Sequence, residues 1–446
     1  MHQRIPQTPL KKLHNIPNNT FKYLLPNTEK TRCPFLYGLP KIHKKIVSFR
    51  PIVSGNEHAT ENISIFLDYI LQPYSTNHPL YSKDVTQLLQ IINKLKLKNP
   101  PNNDLLLLNL DVVNMYTNIP QEECINSVFA TINNDPTRLH RNKTNYQPKL
   151  FSQLLALVLH NNYFQFNGQF YQQKHGIAMG TPCACTISDI YIYNLIEEAI
   201  KNSQSQLRPI IYKQYRDDGF GIWPHGEAEL LNFLANLNKH HPNIKFTLNY
   251  GKQIDFLDTT ISINQFGTIS TETFYKPTAT FNYLHPNSNH PKHCKENIAI
   301  SQTIRHVRNC SSFNTFLYHK NFLEHNLITR GYSPKLIKQK TKTIKYKSRN
   351  KYLQYLKKNQ DRSENRIPLI TTFNKTAPNL NKIMKKHLQL LNNDPTKINH
   401  KPITAYRVLR SIGSKIIEAK YPLEPVQKPP QQPTNHSTTS TQIQNP

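Results

Sequence analysis

The stretch YRDDGFGIW, residues 215–223, decides how the rest of the chain is read. It sets two adjacent carboxylates, Asp217 and Asp218, among aromatic residues. The chain around them is rich in bases and short of acids: Lys plus Arg number 56, Asp plus Glu 27, and the formal net charge is +29. By itself Asp-Asp-Gly reads as a hairpin turn, because Asp and Gly favour turns. The wider stretch IIYKQYRDDGFGIW predicts strand, tight turn and strand, with Gly219 permitting the turn. A third acid, Asp111, ends the apolar run DLLLLNLDVV, which predicts a short buried strand. If the hairpin pairs beside that strand, three carboxylates converge.

Working outward, DVTQLLQIINKLKL has a helical apolar face (Val85, Leu88, Leu89, Ile92, Leu95) with Asp84 as N-cap. IPQEECINSVFATI restarts as a helix with Pro120 in its first turn. LFSQLLALVLH is a buried helix, and GTPCACTISDIYIYNLIEEAI a turn leading into a helix from about residue 182. EAELLNFLANLNKHH is amphipathic; IKFTLNY, IDFLDTTISI and TISTETFY are strand-like. The order β, α, α, β-β, α, β predicts an α+β fold: an antiparallel sheet with helices on one face, of ferredoxin-like type. Residues 1–33 are expected to be poorly ordered, 34–284 to form the α+β body and 285–360 a basic helical region. Residues 361–424 form a further mixed segment, and the low-complexity tail 425–446 is expected to be disordered. Residues 335–358 hold ten Lys/Arg and no acid, interleaved with tyrosines. They suit phosphate backbones or nuclear import, and a solvated helix face is the plainer reading.

The surplus of positive charge favours a polyanionic partner, because each neutralised phosphate releases counterions. Tyr (23) and Phe (20) are plentiful, which leans the same way since bases stack on aromatic rings. Six cysteines without a Cys-x-x-Cys pair point to a reducing compartment. No apolar run approaches ~18 residues and the N-terminus has no signal-peptide core, so a soluble protein of nucleus or cytoplasm, without membrane partners, is expected. His293, Cys294, His306 and Cys310 match no zinc spacing. Cys183 and Cys185 read as small core residues.

A basic nucleic-acid-binding chain needs few acids unless it holds a divalent cation, and Mg²⁺ takes carboxylate oxygens together with substrate phosphates. Here other motifs bear on the question. YRDD resembles the catalytic hairpin of reverse transcriptases. LDVVNMYTNIP resembles their first metal-binding motif, with Asp111 as the shared aspartate. GIAMGTPCACTISDIYI resembles the template- and nucleotide-positioning motif, and FLYGLPKIHK with SFRPIVSG the fingers region. With FLDTTI, these wordings are most similar to the reverse transcriptase of Penelope-like retroelements, a telomerase-related group, over about residues 35–422.

The resemblance implies a right-hand polymerase with palm, partial fingers, helical thumb and a connector. It implies an RNA-directed DNA polymerase that adds dNTPs to a DNA primer on an RNA template. Asp111, Asp217 and Asp218 would be catalytic and hold two Mg²⁺ (or Mn²⁺), with the Val112 carbonyl as a further ligand. Arg50 and Lys41 would meet the triphosphate, Lys44 being a similar candidate. Tyr116, five residues after Asp111, would be a steric gate against the ribose 2′-OH; the plainer reading is a core tyrosine. Gly176, Gly180, Thr181 and Pro182 would let base and nucleotide approach the backbone, with Thr181 as an N-cap in the plainer reading. Lys335, Lys338, Lys340, Lys342, Lys345, Lys347 and Arg349 would contact nucleic acid. Lys245 is a candidate general acid, whereas Asp255 and Asp258 fit a strand better than a metal site. The family's long segment before LPKIHK and its GIY-YIG endonuclease find no counterpart, so a truncated or endonuclease-lacking polymerase is expected. The alternative is an inactive remnant that binds nucleic acid, and an RNA-copying RNA polymerase is a further rival.

Overall fold

Leu106–Val112 (β3) is the central strand, and its alternation explains the layers on either side of it. Leu108, Leu110 and Val112 point into one apolar cluster, Leu107 into another, and Asp111 emerges into solvent. In this computed structural model the described residues are 16–41, 47–95, 105–137, 146–202, 207–264, 266–355, 366–374, 380, 382–384, 386, 387, 401–407, 413 and 416. Lys44, the tail 425–446 and most of 361–424 lie outside them. The chain divides into two compact units, 1–286 with 295–356 and 287–294 with 357–446.

In chain order the first unit begins with α1 (Asn18–Leu24), β1 (Leu36–Pro40), β2 (Phe49–Val53), α2 (Glu61–Thr76), α3 (Val85–Lys94) and β3. Next come α4 (Met115–Asn118), α5 (Gln121–Asn134), α6 (Pro148–His160), β4 (Tyr163–Phe166), β5 (Gln169–Gln172) and α7 (Ala184–Asn202). β6 (Ile211–Tyr215), β7 (Asp218–Trp223), α8 (Gly226–His240), β8 (Phe246–Gly251), β9 (Gln253–Phe256), β10 (Thr259–Ile263) and β11 (Ile269–Thr273) follow. The helical end comprises α9 (Lys292–Asn309), α10 (Phe313–Thr329), α11 (Pro334–Lys342), a 3₁₀ turn at Tyr346–Ser348 and α12 (Arg349–Tyr352).

The central sheet is antiparallel throughout, in the order β6-β7-β3-β8. One face packs on helices: Leu67 and Leu71 of α2, Val128 of α5, Leu155 of α6, Ile187 of α7 and Leu237 of α8 are all buried there. The expected helical layer covers this face. The other face, for which the sequence predicted nothing, is covered by a second sheet, β11-β10-β9, together with α3. Leu107, Phe220, Ile222, Phe256 and Ile261 close that second core, each contributing about 1.5–3 kcal/mol by leaving water. Residues 80–82 cover the β6 edge: the Gln214 amide donates to the Leu80 carbonyl at 2.7 Å, and the Ser82 amide to the Gln214 carbonyl at 2.9 Å.

Several local expectations are met. Asp84 caps α3 by accepting from the Gln87 amide at 3.0 Å. Others are revised. Loose order was the expectation for 1–33, yet its described part carries α1, with Ile16 and Leu24 buried in the main core. IDFLDTTISI is not one strand; it breaks into β9 and β10 at Leu257, whose φ is +54°. Pro120 stands just before α5 rather than within its first turn. The basic run 335–355 is helical only in pieces. It is α11, a 3₁₀ turn and the short α12, and its end is strapped to α3: Leu353 packs on Val85 and Leu89, and the Tyr355 hydroxyl donates to Asp84 at 2.6 Å.

In the second unit, β12 (Arg366–Thr372) and β13 (Lys401–Arg407) pair in parallel, from Arg366 opposite Lys401 to Thr372 opposite Arg407. Phe373 and Tyr406 meet edge to face, with ring centroids 5.2 Å apart.

Candidate active site

The pairing of β3 with β7 sets Asp111 directly opposite Asp218. Opposed residues share a face, so both carboxylates stand on the side of Phe220 and Ile222, beyond the cover of the second sheet. The two-residue turn Arg216-Asp217 joins β6 to β7, and the Asp217 carbonyl accepts from the Val112 amide at 3.0 Å. Main-chain register therefore brings three acids of this acid-poor chain to one sheet end. Burial, then the charges of Asp217 and Asp111, push the Asp218 carboxyl up to about 6; Lys276 opposes the shift.

The turn works differently from its sequence reading. Arg216, not Gly219, adopts the left-handed conformation, with φ +56°. Gly219 is required for space: a Cβ there would meet the Tyr212 hydroxyl at 2.1 Å and Gln214 Oε1 at 2.6 Å. Arg216 holds its strained place by an ion pair with Asp189 of α7, a carboxylate 1% exposed that also accepts from Ser75 at 3.1 Å. Burial drives Asp189 up to about 7 against the pull of Arg216. The sequence reading missed Asp189; an acid in the middle of an otherwise apolar helix was its signal.

Backbone bonds tie the remaining motifs to this end. The Ile177 amide donates to the Tyr116 carbonyl at 2.6 Å, the Val53 amide to the Met179 carbonyl at 3.1 Å, and the Gly55 amide to the Gly180 carbonyl at 3.1 Å. The absence of a Cβ on the glycines permits these joints. A Cβ on Gly176 would lie 2.7 Å from the Thr117 carbonyl oxygen, and one on Gly180 only 2.4 Å from that of Val53. Their φ values, +72° and +128°, are open to glycine. Thr181 and Pro182 pack against Gly55, and the Thr181 carbonyl accepts from the Ala184 amide at 3.0 Å, in the turn ahead of α7.

Tyr116 is half-buried on α4, just after left-handed Asn114. Its hydroxyl lies 3.3 Å from the Cys185 thiol, and burial raises its pKa well above the ordinary value. Cys185 is thus exposed beside Tyr116 rather than a core residue, whereas Cys183 is buried and its amide donates to Ser64 Oγ at 3.0 Å. Arg50 is exposed opposite Leu39 on the β1–β2 hairpin, and the Lys41 amide closes the same hairpin on the Ser48 carbonyl at 2.7 Å.

Other candidates fall elsewhere. The Lys245 ammonium donates to the Asn238 and His241 carbonyls at 2.6 and 3.0 Å, which stabilises the α8 C-terminus. Asp255 accepts from Thr260, and Asp258 pairs with Arg305 at 2.7 Å. His306 is buried, hydrogen-bonded to Thr273, and its pKa is pushed down to about 3 by burial. Lys335, Lys338, Lys342, Lys345 and Lys347 are exposed. Lys340 pairs with Glu296 at 2.9 Å, and half-buried Arg349 reaches Asn93 Oδ1 at 3.4 Å.

An all-oxygen set of Asp111, Asp217, Asp218 and the Val112 carbonyl suits a hard divalent cation, and the mutual repulsion felt by Asp218 is what such an ion relieves. As their side chains stand, no group of three or more His, Cys, Asp or Glu among the described residues forms a ready metal cage. Asp111 and Asp217 are exposed, so their carboxylates can turn without disturbing the core.

The solved structures to which the chain shows similarity include nucleic-acid polymerases. Telomerase from Candida albicans in complex with a fragment of telomeric RNA superposes with TM-score 0.49 and 13% identity, covering 74% of this chain and 56% of that one. Apo telomerase from Candida tropicalis gives 0.42, 11%, 71% and 57%; the RNA-dependent RNA polymerase of a human picobirnavirus gives 0.45, 10%, 67% and 56%. The chain spans little more than half the length of these proteins. A family model described as an animal helix-turn-helix domain matches residues 282–342, the region of α9 to α11. No curated protein matches. Among the described residues no helix is long and apolar enough to cross a membrane.

Proposed function

We propose that the chain is an RNA-directed DNA polymerase of a Penelope-like retroelement, transferring dNTPs onto a primer 3′-OH. The observation that carries this reading is the register that sets Asp111 opposite Asp218, with Asp217 at the adjoining turn. In this reading the central sheet and its helices are the palm, the β1–β2 and β4–β5 hairpins the partial fingers, and α9 to α11 the thumb.

Asp111, Asp217 and Asp218, with the Val112 carbonyl, would hold Mg²⁺ or Mn²⁺. Bound there, the ions would lower the pKa of the primer hydroxyl and neutralise the triphosphate. The chain itself supplies position. Arg50 and Lys41 receive phosphate oxygens, Arg50 through a planar guanidinium. The joints at Gly176, Gly180, Thr181 and Pro182 hold Arg50's hairpin and Tyr116 at fixed distances from the carboxylates. Tyr116, held by Cys185 and the core behind it, would collide with a ribose 2′-OH. The exposed cations Lys335, Lys338, Lys342, Lys345 and Lys347 meet backbone phosphates of the RNA template and DNA strand, with Lys340 and Arg349 at their margin. The attacking 3′-oxygen forms the new bond to the α-phosphorus as the α–β anhydride breaks and pyrophosphate leaves.

Primer extension on an RNA template tests this. The chain is expected to incorporate dNTPs in preference to rNTPs, and Asp217→Ala to abolish incorporation while duplex binding persists. Incorporation unaffected by Asp217→Ala overturns the site. The second reading, a non-catalytic nucleic-acid-binding chain, is favoured by the exposed lysines of 335–347, which can meet phosphates without a carboxylate site. It predicts binding without extension by the unaltered chain.

A further inference from the structure

The two hairpins beside the site leave large rings in water. Phe35 is 56% exposed, Tyr37 49%, Tyr163 40% and Phe170 70%. Strand pairing sets them on one face. Phe35 bridges Gln165, and the Gln165 amide donates to the Pro34 carbonyl at 2.8 Å. Gln165 is opposite Phe170, and Tyr163 lies two residues along the same strand. Tyr37 and Leu39 alternate onward from Phe35, and Leu39 is opposite Arg50. Opposed residues share a face and every second residue returns to it. A stripe Phe170, Tyr163, Phe35, Tyr37 therefore ends at the Arg50 guanidinium. Phe164 and Tyr171 lie on the opposite face, stacked on each other at 5.6 Å.

Exposed apolar area of this kind marks an interaction surface, and the surrounding charge selects the partner. The described residues of 30–56 and 136–188, which carry both hairpins, include no Asp or Glu but Lys30, Arg32, Lys41, Arg50, Lys149 and Lys174, of which Arg32 is paired with Glu57 at 2.8 Å. Rings two residues apart on a strand are about 7 Å apart, twice the ~3.4 Å rise between stacked bases. Gln165 lies among the rings and Arg50 at their end, each with hydrogen-bond donors, unlike a closed apolar interface. We propose that this face is a stacking track for unpaired nucleic acid, and that it delivers a single strand toward the carboxylates. The direction of delivery rests on the polymerase reading; the binding does not.

The test is fluorescence anisotropy of the full chain with a labelled single-stranded RNA in EDTA, where no turnover occurs. Phe35→Ala with Phe170→Ala is expected to weaken single-strand binding about tenfold or more, and to leave blunt-duplex binding within about twofold, as stacking on the track requires unpaired bases. Phe166→Ala with Tyr171→Ala, on the other face, should leave single-strand binding unchanged. In the unaltered chain, 2-aminopurine within the strand should be quenched on binding, so the proposal does not depend on any variant's folding. Unchanged single-strand affinity in the first variant, or absent quenching, overturns the track. Light scattering that shows a dimer dissociated by the first variant also overturns it, assigning the stripe to a second copy. Failure of primer extension with the track intact would remove only the polymerase reading.

Discussion

The carboxylate end of the central sheet and the basic segment Lys335–Tyr355 hold charge in opposite ways. At the sheet end three like charges are forced together: Asp111 opposite Asp218 by register, Asp217 by a turn closed on Val112. The cost is visible in Asp218, whose carboxyl is pushed up to about 6 by burial and by its two neighbours. In the basic segment six lysines fan out into water, Lys340 is neutralised by Glu296, and Arg349 is drawn in against Asn93. Dispersed surface charge needs little support from the fold. Converged charge needs a rigid backbone, and that rigidity is where function can be sought.

The largest effect expected from breaking this contrast comes from a residue that carries no charge. Gly180→Ala puts a Cβ 2.4 Å from the Val53 carbonyl oxygen at a φ of +128°. It should cost more than about 2 kcal/mol in urea unfolding, through strain and a parted joint, and extension should fall with it. Gly168→Ala is the comparison. Its φ is +75° but nothing lies within 4 Å of the added carbon, so about 1 kcal/mol is expected. Equal losses would mean that backbone conformation, not the joint, sets the cost.

The same contrast accounts for what was readable beforehand. DLLLLNLDVV gave its strand and its terminal acid because apolar runs and turn residues are local signals. The N-cap at Asp84 was legible for the same reason. The convergence of Asp111 with Asp218 was conditional on a pairing that no local pattern states. Gly219 was misread because its purpose is room for Tyr212 and Gln214. The break at Leu257 escaped notice because leucine seldom adopts positive φ. The β4–β5 hairpin was overlooked although Asn167-Gly168 between alternating aromatics is a strong hairpin signal, with both residues at positive φ. The fate of the basic segment was illegible, since composition does not say which of its residues are strapped down.

Leu353→Ala separates strap from surface. Leu353 is 4% exposed against Val85 and Leu89, and its carbonyl accepts from Gln90. Truncation should cost about 2–3 kcal/mol, within the range for buried leucines, read as a lower urea midpoint at unchanged slope. A change below about 0.5 kcal/mol, typical of a surface site, would show that the strap contributes no stability.

The smallest stability effect belongs to Lys335→Ala with Lys338→Ala. Both side chains are exposed on α11, so unfolding should move by no more than about 0.5 kcal/mol. Their effect should emerge in binding instead. Each phosphate that goes unneutralised lowers the slope of log affinity against log salt by about 0.9 on duplex DNA, so the pair should lower it by nearly two. Lys340→Ala should change the slope less, because Glu296 already occupies its ammonium at 2.9 Å. An equal change from Lys340→Ala would mean that the ion pair opens to admit phosphate. The segment would then act through total charge, and position would count only at the carboxylates.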